Sequence, residues 1–321
     1  MSTVPLVAVT GGAGLLGRAV ISRLLADGWR VRQLVRKPSS GRSPKVEAVI
    51  GGLEDGGALR RLVAGADAVV HAACLTRAWR ASDYYEANVE GNHRLGKAIR
   101  AAASEARLVV ASSLAARFPW LSAYAASRAD GEDAVVEAAG VPSWAVLRLG
   151  PLYGPGDRKT LALMEAATWP LMPIPDRPDA RISLLHVDDA AAAVAGACGT
   201  SLRGAIWEVG DTARPWSDIA RAVMRAVAGT PRLVRVSPRL LAIGVTLTHP
   251  LGSRTSPLLS PIRLAELLHD DWVARPICQP PATVWRVRTA LDDGLSQSVG
   301  WFRSNGWLAP PVTLTATQLR G

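Results

Sequence analysis

The stretch TGGAGLLG, residues 10–17, limits what this chain can fold into more than any other. It follows the apolar run PLVAVT and opens LLGRAVISRLLAD, whose apolar residues recur at helical spacing. That makes it a strand–turn–helix junction. In such a junction Gly11 permits a tight turn, Gly14 lets backbone approach a pyrophosphate, and Gly17 allows close helix packing. Thr10, Leu15 and Leu16 complete the contact set, and the positive end of the helix dipole favours phosphate. The expectation is a dinucleotide-binding α/β unit.

Beyond this turn the chain repeats the same kind of unit. VRQLV (31–35), VEAVI (46–50), DAVVHAA (67–73), RLVVASS (107–113) and SWAVLRLG (143–150) are short valine-rich runs that read as strands. Helical segments separate them, among them ALRRLVAG (58–65), residues 84–104 and the segment that starts at Tyr124. Strands alternating with crossovers of this length predict a Rossmann-like, doubly wound parallel sheet. Residues 1–150 form the dinucleotide-binding core in this reading, and 180–212 return to it through LLHVDDAAAAVAGA. Residues 151–179 and 213–308 are richer in Pro and Trp and form a smaller C-terminal substrate-binding region, with 309–321 as a loose tail.

Composition excludes several other classes. With 49% hydrophobic and 20% charged residues over 321 positions, the chain is a folded globule rather than a disordered one. The net charge of +10 comes from scattered arginines with few aromatics, so no nucleic-acid footprint is expected. Cys74, Cys198 and Cys278 have neither disulfide-framework nor zinc spacing, and the histidines lack ligand spacing; no metal is expected. The first residues lack a signal peptide's charged and apolar regions, and runs such as LLAIGVTL (240–247) fall short of the ~20 residues a spanning helix needs. A cytoplasmic protein without membrane insertion is the plain reading, with contact through a surface patch left open.

The second strand bears on the choice of dinucleotide. NAD selectivity normally uses a carboxylate on the ribose hydroxyls about 20 residues past the turn. Here Arg36 and Lys37 stand at that point, so NADP is favoured and NAD is possible. Gly52 and Leu53 follow the third strand, where Leu53 is expected to line the adenine pocket.

With TGGAGLLG, HAAC (71–74), NVEG (88–91), ASS (111–113), YAASR (124–128), RLGPLYGPGD (148–157) and LLHVDDAA (184–191), the chain resembles the extended short-chain dehydrogenase/reductases, also described as the NAD-dependent epimerase/dehydratase family. The resemblance runs from about residue 4 to 308 and includes LDDGLSQSVGWFRSNGW (291–307) as a closing helix. It implies Ser113, Tyr124 and Arg128 as the catalytic group, with Ser112 the neighbouring candidate. It further implies that His71, Ala72, Ala73 and Asn88 lie on the cofactor side and that Pro151 and Leu152 border the nicotinamide. Arg148 is expected to be structural, as are Asp188 and Asp189.

The family has lysine where this chain has Arg128. A tyrosine with a pKa near ~10 is a poor base at neutral pH, and an adjacent cation favours its phenolate. Arginine supplies that field and can bond a ribose, but it does not deprotonate and so cannot pass a proton. The link LAARFPWLSA between Ser113 and Tyr124 is short for a sugar-nucleotide enzyme. Phe118 and Trp120 in it, with Leu152, Met164, Trp169 and Met172, lean toward an apolar or mixed small-molecule substrate. The leading expectation is an NADP-dependent oxidoreductase moving hydride between nicotinamide and a carbonyl or secondary alcohol. The alternatives are a sugar-nucleotide epimerase or dehydratase using bound NAD, and a non-catalytic NAD(P)-binding scaffold. A homodimer through 84–104 and the alanine-rich 124–139 is also implied.

Overall fold

The computed structural model describes residues 4–37, 45–200, 204–248 and 264–309, so the expected tail lies outside the described residues apart from its first position. The strands are β1 (Leu6–Thr10), β2 (Arg30–Val35), β3 (Val46–Ile50), β4 (Ala68–His71), β5 (Arg107–Ser113) and β6 (Trp144–Leu149), with a seventh strand at Ala205–Val209. They form one parallel sheet in the order seventh, β6, β5, β4, β1, β2, β3. The order reverses between β1 and β4. At such a switch point the crossovers leave on opposite faces and open a crevice beyond the strands' carboxyl ends.

Both faces of the sheet are covered, which is why its central strands β1, β4 and β5 are apolar through most of their length instead of alternating. Helix α1 (Leu15–Ala26) and the helix Val187–Cys198 bury Val7, Val9, Leu24, Val109 and Leu147 on one side. On the other side, α2 (Gly56–Val63), α4 (Gly91–Ala102) and α5 (Ala123–Ala139) cover Ala8, Leu62, Ile99, Leu108 and Val110. A short helix α3 (Ala81–Tyr85) runs into α4 through a π turn, Glu86–Glu90.

Helix α5 starts at a cap, Ser122 Oγ accepting from Ala125 N at 3.0 Å, and stops at Gly140, whose φ of 59° is left-handed. It lies against α4 at close range: a Cβ on Gly96 would meet the Ala138 Cβ at 2.6 Å, and one on Gly131 the Asn88 carbonyl at 2.2 Å. Ala125, Ala138 and Ala139 are therefore used in packing within the chain, and Ala126, Ala129 and Ala134 stay on the outer side.

A third cluster, including Met164, Met172, Ile174, Val223, Leu295 and Phe302, holds the remaining elements together. These are the helices Arg158–Ala166, Trp216–Val227 and Leu291–Ser304 and a parallel ribbon of Leu171–Pro175 with Arg232–Val236. Among the described residues no helix is long and apolar enough to cross a membrane.

Candidate active site

The glycine turn has the shape a nicotinamide dinucleotide requires. Gly11 has φ +73°, and a Cβ there would lie 2.4 Å from the Ala72 carbonyl carbon. On Gly17 it would lie 2.1 Å from Gly11 O. Gly14 caps α1, and its added Cβ would meet only Gly11 O, at 3.3 Å, so the space over the helix N-terminus is clear. Backbone donors there are aimed at open space, as a pyrophosphate site needs. Leu15 and Leu16 are half-buried in the first turn, and Arg18 Nη1 crosses the turn to donate to Ala13 O at 2.7 Å.

Beneath the turn lies a buried chain of polar groups. Asn92 Nδ2 donates to Gly131 O at 2.9 Å, which leaves Oδ1 to accept from His71 Nε2 at 2.6 Å. His71 Nδ1 then accepts from the Thr10 hydroxyl at 2.7 Å, and Thr10 Oγ1 accepts from Ala73 N at 3.3 Å. Burial holds the His71 pKa down at about 4, with the Asn92 bond partly opposing, so this imidazole is neutral. Thr10 and His71 have no exposed surface. They fix the backbone of Ala72 and Ala73 beside the turn and do not face the crevice themselves.

Asn88 works in the same indirect way. It is fully buried in the π turn; its Oδ1 accepts from Leu75 N at 2.8 Å, and its Nδ2 donates to Leu75 O at 3.1 Å and Ser127 Oγ at 3.0 Å. Ser127 in turn donates to Tyr124 O at 2.9 Å. One amide thus ties the loop after β4 to the first turn of α5.

Tyr124, Arg128 and Glu132 follow at i, i+4 and i+8 and share the inward face of α5. Tyr124 is 7% exposed and meets the Tyr84 ring edge-on at 5.9 Å. Arg128 is 3% exposed; its Nη2 donates to Ala111 O in β5 at 2.6 Å, and its Nε has no partner. Burial opposes the guanidinium charge, but Cys74, Tyr124 and Glu132 outweigh it and hold its pKa above the ordinary arginine value. The cation is thus held by the backbone of β5 on the helix face it shares with the tyrosine.

The two serines at the end of β5 separate cleanly. Ser112 is buried and donates to Glu132, whose carboxylate also accepts from Arg148 at 2.7 Å and 3.0 Å, so both Ser112 and Arg148 belong to the framework. Ser113 is half-exposed and accepts from Ala115 N at 3.2 Å. Asp189 is also framework, accepting from Arg288 N and Thr289 N.

At the adenine end, Arg36 and Lys37 are exposed just past β2. Leu53 packs toward Gly91, beside the buried Gly52. On the other side, Leu152 pairs with Leu185 and Pro151 O accepts from Leu185 N at 3.0 Å, which brings this loop to the carboxyl end of the sheet.

Between the sheet and the C-terminal elements lies an apolar cluster of Tyr84, Leu114, Tyr124, Ile182, Ile219 and Trp272, with Leu75, Phe118 and Trp216 partly buried against it. Phe118 contacts His269 at 4.2 Å, Trp120 at 5.6 Å and Trp272 at 5.9 Å between ring centroids. Phe118 and the exposed Trp120 stand beside this cluster. Met164 and Met172 do not: both are 0% exposed in the C-terminal core, and Trp169 is 57% exposed on the outer surface. Both methionines fill the third cluster, and sequence alone does not distinguish such packing from the lining of a pocket.

Sequence reasoning passed over Ser127, Asn92, Cys74 and Glu132. The Y-x-x-x-R-x-x-x-E spacing at 124–132 was the usable signal, since it stacks three functional groups on one helix face. It also passed over Glu208. That residue is 1% exposed on the seventh strand and accepts from Arg117 Nη1 at 3.0 Å and Arg275 N at 2.8 Å. Arg117 continues to Asp271 at 2.8 Å and Val273 O at 2.9 Å. Burial raises the Glu208 pKa, but bonds from Arg275 and the charge of Arg117 outweigh it and hold the group below its ordinary value.

The family model for the NAD dependent epimerase/dehydratase family matches residues 7–210. A ceramide reductase of Caulobacter vibrioides is 38% identical over 311 residues, covering 94% of this chain and 96% of its own. The crystal structure of gox2253 superposes with a TM-score of 0.76 at 20% identity, covering 96% of this chain and 100% of its own. MoeE5 in complex with UDP-glucuronic acid and NAD gives 0.68 at 20% identity, covering 94% and 99%. At those identities the two structures share the fold.

Proposed function

The chain belongs to the NAD dependent epimerase/dehydratase family as an NAD(P)-dependent oxidoreductase, and from there we propose that it is an NADP-linked reductase of a ketone carried on a long-chain, lipid-like molecule. The observation that carries this reading is Tyr124 on the same helix face as the buried cation Arg128, at the edge of a packed apolar and aromatic cluster. The bound dinucleotide supplies hydride. Everything else falls to the chain's own side chains. Ser113 hydrogen-bonds the substrate carbonyl oxygen and orients it. Tyr124 gives its phenolic proton to that oxygen as negative charge develops there. Arg128 stabilises the phenolate left behind with a charge it cannot give up. Because a guanidinium does not release its proton, the tyrosine is recharged through hydroxyl groups and water.

Arg36 and Lys37 support NADP, since two exposed cations suit a 2′-phosphate and give unphosphorylated ribose no acceptor. The residues around Tyr124 support the substrate class. Phe118 and Leu75, partly buried against Trp272 and Ile182, are apolar and offer no fork of donors to a diphosphate. The full-length likeness to a ceramide reductase points the same way. The test is oxidation of NADPH by the purified protein with a 3-oxo N-acyl lipid amide. Turnover lost in Tyr124→Phe supports the reading. Copurified NAD with conversion of a nucleotide sugar and no added cofactor overturns it.

A further inference from the structure

The ribbon Leu171–Pro175 with Arg232–Val236 has one face in the C-terminal core and one face outward. Register partners in a parallel pair point the same way, so Leu171, Pro173, Arg232 and Val234 share the outer face, opposite the buried Met172 and Ile174. Leu171 is 54% exposed and Trp169, just before it, 57%. The chain then leaves Val236 through Ser237 into the helix Pro238–Thr248, PRLLAIGVTLT. Leu240 and Ile243, one turn apart on that helix, are 62% and 54% exposed. Four large apolar side chains in one ribbon-and-helix unit are open to solvent, whereas Met164, Met172 and Phe302 behind them are fully buried.

The charged residues interleaved with this surface are mostly of one sign. Arg232 on the ribbon and Arg239 at the start of the helix are exposed, and Arg235 reaches the acidic Asp176 at 3.9 Å. The whole chain carries +10. We propose that this ribbon-and-helix surface docks the protein on an anionic phospholipid bilayer, with Leu240, Ile243, Trp169 and Leu171 entering the headgroup–acyl boundary and Arg232 and Arg239 meeting lipid phosphates. A partner protein would satisfy the apolar side chains as well, but the positive rim selects a negatively charged, fluid surface. The proposal rests on the reading of the substrate as a lipid, which resides in such a bilayer. Among the described residues no helix is long and apolar enough to span it, and the docking proposed is peripheral and reversible.

The test is sedimentation of the full chain, without substrate or cofactor, with vesicles of phosphatidylcholine alone or mixed equally with phosphatidylglycerol. Binding is expected to the mixed vesicles and to weaken as salt rises. Leu240→Glu with Ile243→Glu should lower affinity by on the order of a hundredfold. Arg232→Gln with Arg239→Gln should lower it by roughly thirtyfold. Circular dichroism melts check that each variant is folded; these sites are exposed, so unfolding is not expected. No binding by the wild type overturns the proposal, as does undiminished binding by the folded double-Glu variant. A change in oligomeric mass of that variant with unchanged vesicle binding also overturns it, assigning the face to a contact between copies. Activity on a short-chain, water-soluble 3-oxo amide is measured in parallel. Turnover without vesicle binding removes the docking surface alone, and vesicle binding without turnover removes the reductase reading alone.

Discussion

At the scale of single residues, Arg128 governs what the site can do. Its guanidinium is anchored to Ala111 O and buried, so it acts as a permanent charge and not as a relay. Replacing it with lysine should introduce an alkaline limb in kcat between about pH 7 and 10, where a buried ammonium loses its proton, while the wild-type profile lacks that limb. Tyr124→Phe should lower kcat about a hundredfold to ten-thousandfold and leave NADPH binding, read by fluorescence titration, nearly unchanged. His71 gives a stability prediction. Its folded pKa is about 4 against an ordinary 6.5. Below about pH 6.5 the unfolded chain binds a proton that the folded chain refuses until about pH 4, so stability falls across that window, by up to about 3 kcal/mol. Urea midpoints of the wild type should drop over that range, and His71→Gln should flatten the drop. Ser113, Tyr124 and Arg128 were legible in the sequence as what the family resemblance implies, through ASS and YAASR. Asn92 and Ser127 were not, since their partners are a carbonyl on α5 and an amide in the π turn, brought near only by tertiary packing.

Among the elements, β1, β4, β5 and β6 were readable as mostly buried apolar runs between turns, whereas β2 and β3 carry Arg32, Gln33 and Glu47 and were readable from their valines and spacing. The methionines of the C-terminal region misled for a related reason: burial leaves the same sequence mark whether a side chain fills a core or lines a cleft. The end of β2 carries the cofactor prediction. Arg36→Ser with Lys37→Ser should reduce the preference for NADP over NAD by on the order of tenfold to a hundredfold, read as the ratio of kcat/KM values. The α4–α5 contact carries another. Gly131→Ala would drive a methyl to 2.2 Å from the Asn88 carbonyl, in the π turn that also holds the loop after β4. A loss of about 1–3 kcal/mol in urea unfolding is expected. The π turn itself could not be foreseen, because EANVE has ordinary helical composition.

For the whole molecule, the outer sides of α4 and α5 carry opposite charges: Lys97 and Arg100 on one, Asp130, Asp133 and Glu137 on the other, all exposed. Pairing of two copies across these helices is proposed on that basis. It should appear as a dimer in analytical ultracentrifugation at low salt and weaken as salt screens the charges. The other feature at this scale is Glu208. It stands on the last strand to join the sheet and holds both Arg117, from the link that precedes Tyr124, and Arg275, from the far C-terminal region. A nascent chain emerges from its N-terminus onward. The phosphate turn and the strands around it are thus all synthesised well before Glu208 exists. During synthesis the link carrying Phe118 and Trp120 therefore has no carboxylate anchor until the seventh strand has been made.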